Sequence, residues 1–187
     1  MGKRNRNHRF RLTEEAIITA FFVGDDLPKF GVLAKRAGIS RSTLFRHHKT
    51  VYGVILDYER AIYKKYSRMI GKILSGGDVK MREIFLKILI FININGKEIK
   101  LILRYRNGEI FEKMIWRLKR KIDKVYFLPK KSEQIFGIYA KEVSGVLEEW
   151  ARRDFAKDEI DVILRKIMYL TDTMKMRLTP MLKKYKN

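Results

Sequence analysis

The sequence predicts an all-α protein with an N-terminal three-helix head, a long linking helix and a C-terminal helical bundle. Apolar residues recur with the 3.6-residue period of amphipathic helices through most of the 187-residue chain. Glycine, proline and asparagine interrupt this period at intervals typical of short loops between helices. The hydrophobic content of 46% is sufficient for a packed core and excludes wholesale disorder.

Helix signals begin close to the N-terminus. Thr13 precedes two acidic residues and an apolar run, so we expect it to cap a first helix over about 13–23. A polar break that ends in Pro28 follows this helix. The second helix should therefore begin at Lys29 or Phe30.

Two short helices joined by a glycine turn complete the head. Gly38 ends the second helix, where the chain needs a positive φ that glycine adopts without a Cβ penalty. Ser40 is placed to cap the third helix, and the spacing of Ile39 and Leu44 is that of a hydrophobic staple. This is the layout of a helix-turn-helix, whose second helix reads base edges in the DNA major groove.

The segment 33–48, LAKRAGISRSTLFRHH, resembles the DNA-binding domain of the tetracycline-repressor (TetR) family, and the resemblance covers Thr13 to about Glu59. It implies an all-helical homodimer that binds a near-palindromic operator in double-stranded DNA and whose C-terminal domain often binds a small-molecule effector. We expect a repressor whose operator binding the effector modulates, with activation as the alternative. The candidate DNA-binding residues are Lys29, Ser40, Arg41, Ser42, Thr43, Phe45, Arg46, His47 and Lys49.

Three positions depart from the pattern of that family. Phe45 stands where a tyrosine is usual, so a hydroxyl that would contact phosphate is missing. His48 replaces a phenylalanine that is usually buried, and Val51 replaces a lysine at the start of the fourth helix. Lys49 could reach the phosphate that this lysine would contact.

The chain is expected to divide into three segments. Residues 1–12 form a flexible basic arm that follows DNA phosphates or enters a minor groove, the alternative being a solvated tail. Residues 13–58 form the helix-turn-helix domain, and 59–187 form an effector-binding and dimerisation domain. The helices predicted after the head cover about 51–74, 79–93, 97–106, 109–127, 132–153 (with Ser132 as its cap) and 158–178.

Aromatic and aliphatic residues of the second half supply two further expectations. Five aromatic side chains could line an apolar effector cavity or else fill a core: Phe85, Tyr105, Phe111, Trp116 and Phe136. The last two helices have broad apolar faces that suit a four-helix dimer seam formed by Ile135, Ile138, Tyr139, Val143, Val146, Trp150, Ile163 and Ile167. The segment 136–150 also resembles the C-terminal region of regulators of dihydroxyacetone-kinase operons.

The net charge of +21 is unevenly distributed. Residues 1–60 carry +6, residues 61–131 carry +13 and residues 132–187 carry +2. The basic middle third is a solvated surface, a site for an anionic effector or partner, or an additional contact to DNA. The alternative function is therefore a non-enzymatic helical protein that binds an acidic partner, another polyanion or an anionic membrane surface through this region.

Several classes of protein are excluded by residue usage. The chain has no cysteine, and its three histidines are not spaced to bind a metal from one helix face. Neither a GxGxxG nor a GxxxxGK[ST] phosphate loop occurs. We therefore expect no enzyme, no cofactor and no metal. No apolar run reaches the roughly 18 residues that a membrane span needs, so we expect a soluble protein. The absence of cysteine suits a reducing compartment, so we expect it in the cytoplasm.

Overall fold

The computed structural model describes the backbone of residues 2–24, 26–77, 79–106, 109–126 and 133–183, and the side chains of 8–24, 26–77, 79–106, 109–122 and 133–177. Every regular element in these ranges is helical, which confirms the all-α class. The helices are α1 (Gly2–Phe21), α2 (Phe30–Arg36), α3 (Arg41–His47), α4 (Val51–Leu74), α5 (Met81–Ile94), α6 (Gly96–Tyr105), α7 (Glu109–Tyr126), α8 (Glu133–Arg152) and α9 (Ile160–Lys183). A 3₁₀ turn, Lys157–Glu159, precedes α9.

The loop signals locate most helix ends. α4 covers the predicted range, and Thr50 caps it by accepting a hydrogen bond at Oγ1 from the Gly53 amide at 2.8 Å. α2 begins at Phe30 as predicted. The predicted capping residue Ser132 of α8 lies outside the described residues.

The predicted start of α1 is wrong. The helix begins at Gly2, so Thr13 lies in its interior, and the Thr13 hydroxyl donates to the Arg9 carbonyl oxygen at 2.9 Å. A threonine inside a helix satisfies its hydroxyl in this way instead of capping. Residues 2–12, expected to form a flexible arm, are therefore a helical extension that carries the basic residues of this segment.

Two apolar clusters form the interior. The head cluster joins α1, α2 and α3 to the first turns of α4 through Ile17, Phe21, Leu33, Leu44, Val54 and Ile55, all of them fully buried. The body cluster lies between α4 and the helices α5 to α9. α4 contributes to both clusters, and Leu101 of α6 reaches into the head cluster.

The predicted dimer seam is wrong for five of its eight residues. Tyr139, Val143, Trp150, Ile163 and Ile167 are buried inside the chain itself. The reason is that α8 and α9 pack against each other while α7 and α5 cover their remaining apolar faces. Ile138 is 52% exposed, and Ile135 and Val146 are half-buried.

Among the described residues, no helix combines the length and the apolar character that crossing a membrane requires.

Candidate nucleic-acid interface

The turn between α2 and α3 has the local chemistry that the sequence predicts. Gly38 has a φ of +65°, and its amide donates to the Lys35 carbonyl oxygen at 3.1 Å. Ser40 then caps α3, its Oγ accepting a hydrogen bond from the Thr43 amide at 3.0 Å. A left-handed glycine and a side-chain cap therefore set the direction in which α3 leaves the turn.

Polar side chains cover the outer face of α3. Three hydroxyls lie within hydrogen-bond distance, because Ser40 Oγ is 2.9 Å from both Ser42 Oγ and Thr43 Oγ1. Arg46 donates from Nη2 to Thr43 Oγ1 at 3.2 Å. Arginine donors beside short hydroxyls are the groups that contact base edges and phosphates in a DNA groove.

Two further side chains of this face have fixed positions. A Cβ placed on Gly31 would overlap the Arg41 guanidinium, so Arg41 lies against the backbone of α2. Lys49 places its ammonium 4.0 Å from the centre of the Phe45 ring, and Phe45 itself is 51% exposed. Lys29 is exposed at the start of α2. The structure thus leaves all nine candidate DNA-binding residues exposed or half-buried on the head.

One of the nine, His47, is turned away from the outer face of α3. Its Nδ1 donates to Glu14 Oε1 at 2.6 Å, and its ring stacks on Phe10 at 4.5 Å. The expectation that His47 faces outward is therefore wrong, because a carboxylate and an aromatic ring of α1 hold it between α1 and α3.

His48 forms a second connection at the same place. Its Nε2 donates to Glu14 Oε2 at 3.2 Å and its Nδ1 donates to Asp57 Oδ2 at 3.0 Å. Tyr58 donates its hydroxyl to Glu14 Oε2 at 2.7 Å. Since carboxylates only accept hydrogen bonds, a histidine placed between two of them carries both ring protons.

The proton affinities agree with this arrangement. Burial alone would lower the pKa of His48, but hydrogen bonds to Glu14 and Asp57 raise it above the ordinary value of 6.5. Burial alone would raise the pKa of Glu14, but hydrogen bonds from His48, Tyr58 and His47 lower it to about 2. Within the described part of the chain, no three acidic or histidine side chains converge closely enough to hold a metal ion.

Sequence reasoning missed the residues that complete this network. In the sequence, Glu14 matches the pattern of an ordinary first-turn acid. Its two histidine partners are 33 and 34 residues away. No local pattern joins residues at such separations. The one available signal is the polar residue His48 at a position where the resemblance implies burial, since a buried imidazole needs partners.

The predicted effector residues fall into two groups. Phe85 and Phe136 line a cavity of about 120 Å³ between α5, α7, α8 and α9, whose other walls include Ile115, Leu118, Lys119 and Met174. Tyr105, Phe111 and Trp116 are not among its lining residues. Tyr105 packs on Phe21 of the head, whereas Phe111 and Trp116 make edge-to-face contacts with other rings of the body. These three side chains therefore follow the alternative expectation, packing with the apolar clusters instead of lining this cavity.

No protein-family model matches the chain, and comparisons with curated proteins and with solved structures find no match.

Proposed function

We propose that the chain is a DNA-binding transcription regulator of the TetR type, a homodimer whose α3 helices enter major grooves of a near-palindromic operator. The observation that carries the proposal is the exposed face of α3, where Arg41 and Arg46 flank hydroxyl groups at the end of a glycine turn. These donors and acceptors suit both base edges and phosphates. We further propose repression as the default outcome of binding.

The surroundings of α3 support this role. Leu44 fixes its inner face in the head cluster, and Glu14 holds its C-terminal end through His47. A helix held at its inner face and at its C-terminal end loses little conformational entropy when it binds, which favours tight and specific recognition.

A dimer is supported by exposed apolar residues on the outer sides of α8 and α9. Val162, Tyr169 and Met176 are 41%, 73% and 75% exposed and follow one another at seven-residue intervals along one side of α9. Ile138 on α8 is exposed as well. These residues, in place of the buried ones predicted from the sequence, would form the seam between two copies of the chain.

Control by a small molecule is supported by the position of the body cavity. Ile115 and Leu118 line the cavity, and the helix that carries them, α7, also packs against α4. A ligand that displaced α7 would act on α4, which follows α3 directly. Because two operator half-sites must match the separation of the two heads, a tilt of α4 would lower the affinity for DNA.

The test selects a preferred sequence from random duplex DNA and then measures variants against it. In the variant Thr43→Ala with Arg46→Ala, we expect affinity for the selected duplex to fall about 100-fold or more, because each good base contact contributes roughly 1–3 kcal/mol. Affinity for unrelated duplexes should change much less. Fluorescence anisotropy gives both affinities.

The matched control removes one hydroxyl and one guanidinium outside α3 and outside the proposed dimer seam, in the variant Ser75→Ala with Arg82→Ala. This control should bind the selected duplex like the unmodified protein. Selection that yields no preferred sequence, or equal affinities in the α3 variant and the control, contradicts the proposal.

A further inference from the structure

Two neighbouring rows of basic residues lie on the body, beyond the proposed recognition helix. Arg60, Lys64, Arg68 and Lys72 follow one another every four residues and are exposed along one ridge of α4. Each step corresponds to about 6 Å along the helix, so the ridge is about 18 Å long. Lys113, Arg117 and Lys121 repeat the same spacing on α7.

The two rows are brought together by contacts between α4 and α7. The Arg117 guanidinium lies 3.7 Å from the centre of the Tyr63 ring of α4. The Lys121 ammonium lies close to the backbone of α4 at Gly71, 3.6 Å from the point where a Cβ at that position would be. We call the surface made by these two rows the α4–α7 basic face.

The charge of this face is uncompensated along most of its length. Neither 60–74 nor 113–122 contains an acidic residue. Arg60 pairs with Asp57 at 3.2 Å and Lys113 with Glu109 at 2.6 Å, both at the beginnings of the rows. Lys64, Arg68, Lys72 and Lys121 lie within 4 Å of no carboxylate of the described residues, so repulsion among them is unrelieved.

The form of the face indicates which kind of anion it fits. Regularly spaced cations match a regularly repeating anion, and each strand of a DNA duplex presents one phosphate per 3.4 Å of axis. An anionic membrane would be bound through apolar side chains inserted among the cations. Among the described residues of α4 and α7 beyond Tyr52, no large apolar side chain is exposed.

We propose that the α4–α7 basic face binds backbone phosphates of double-stranded DNA beyond the segment that α3 contacts. The inference rests on the proposed function for its placement, since Arg60 lies only about 14 Å along α4 from the first residue of this helix. The contacts are electrostatic and independent of sequence. They lengthen the bound DNA segment and make affinity depend steeply on salt.

The test compares two variants of the full chain with equal loss of charge. The face variant is Lys64→Gln, Arg68→Gln, Lys72→Gln and Lys121→Gln. The control variant is Lys80→Gln, Arg82→Gln, Lys87→Gln and Lys157→Gln, which neutralises four exposed basic residues outside the face. Binding to random-sequence duplex DNA is followed by anisotropy between about 50 and 200 mM salt.

We expect the slope of log affinity against log salt concentration to become shallower by about 3 to 4 in the face variant, close to 0.9 per lost phosphate contact. The control variant should keep the slope of the unmodified protein. Equal slopes in the two variants overturn the proposal. If circular dichroism shows that the face variant does not fold, the single variant Arg68→Gln should still make the salt slope shallower by about 0.9. Arg82→Gln is its control and should keep the slope of the unmodified protein.

Two further measurements separate this inference from its alternatives. Binding to phosphatidylcholine vesicles containing phosphatidylserine should be equal in the face and control variants; a loss confined to vesicles overturns the inference in favour of a membrane surface. The variant Thr43→Ala with Arg46→Ala tests the proposed function by itself. If sequence preference is absent but the face variant still lowers the salt slope, the proposed function fails while the basic face remains a DNA contact.

Discussion

Glu14 accepts hydrogen bonds from three side chains, one at the end of α3, one in the turn after α3 and one on α4. His47, His48 and Tyr58 are these partners, and the Tyr58 hydroxyl also lies 3.0 Å from the backbone oxygen of Glu14. One carboxylate thus fixes the distance between α1 and the end of the proposed recognition helix. Hydrogen bonds to charged groups contribute about 1.5–3 kcal/mol each, so this carboxylate has a large share in the stability of the head.

The stability of the head should depend on pH through His48. Because its pKa is raised in the folded state, its contribution is complete below about pH 6.5 and is lost as the pH rises through that raised pKa. The contribution of Glu14 is complete above about pH 4.5 and is lost as the pH falls toward about 2. In urea unfolding, we expect the unfolding free energy of the unmodified protein to fall between about pH 6 and about pH 9.

The variant His48→Phe removes the titrating group and restores the apolar residue that the TetR resemblance implies. It should show little change in unfolding free energy over this range. His8→Phe is the matched control, because His8 is exposed on α1, and it should retain the pH dependence. A His48→Phe variant with the same pH dependence as the unmodified protein would show that His48 is not the group responsible.

At the scale of elements, α4 and α6 connect the head to the body. Val54 and Ile55 of α4 are buried in the head cluster, whereas Ile62 and Tyr66 of the same helix are buried in the body cluster. α6 adds a second connection through Leu101, which is fully buried in the head cluster. Two helices that each enter both regions couple the head to the body, although each region keeps an apolar cluster of its own.

We predict that Leu101→Ala destabilises the head specifically, although Leu101 belongs to the body in sequence. Truncation of a fully buried leucine costs about 2–5 kcal/mol. Hydrogen exchange should show lower protection in α1, α2 and α3 than in the unmodified protein. Leu103→Ala on the same helix is the control, because Leu103 packs against the body cluster and is only half-buried. Unchanged protection of the head in Leu101→Ala contradicts this role of α6.

How far the sequence predicts the helices depends on whether their ends are set locally. Gly38 and Ser40 act on residues three positions away, so the sequence predicts the turn after α2 and the start of α3. Thr13 has the same local signal, but the helical extension upstream of it decides its role. The boundary of α1 is therefore set by residues that carry no apolar period.

At the scale of the whole molecule, burial could not be predicted in the same way. The apolar face of a helix shows that it packs, but not whether the partner belongs to the same chain. Trp150 and Ile167 have the pattern of a seam, and they are buried because α8 and α9 cover each other. Which residues these helices leave exposed, Tyr169 among them, depends on those contacts. The partners of Glu14 could not be predicted for the same reason, since they depend on tertiary contacts.

The exposed side of α9 is the proposed dimer interface. Val162 and Tyr169 lie two turns apart on the exposed side of α9, and a charge introduced at either position would be desolvated in a symmetric interface. We expect the unmodified chain to sediment as a dimer, and Val162→Lys with Tyr169→Lys to sediment as a folded monomer at the same concentration. The control Ile94→Lys introduces a lysine at an apolar residue that is 74% exposed at the end of α5, and it should remain a dimer. If all three proteins have the same mass in solution, the outer side of α9 is not the dimer interface. If the double variant alone dissociates, its affinity for the selected operator should fall as well, because only a dimer contacts both half-sites at once.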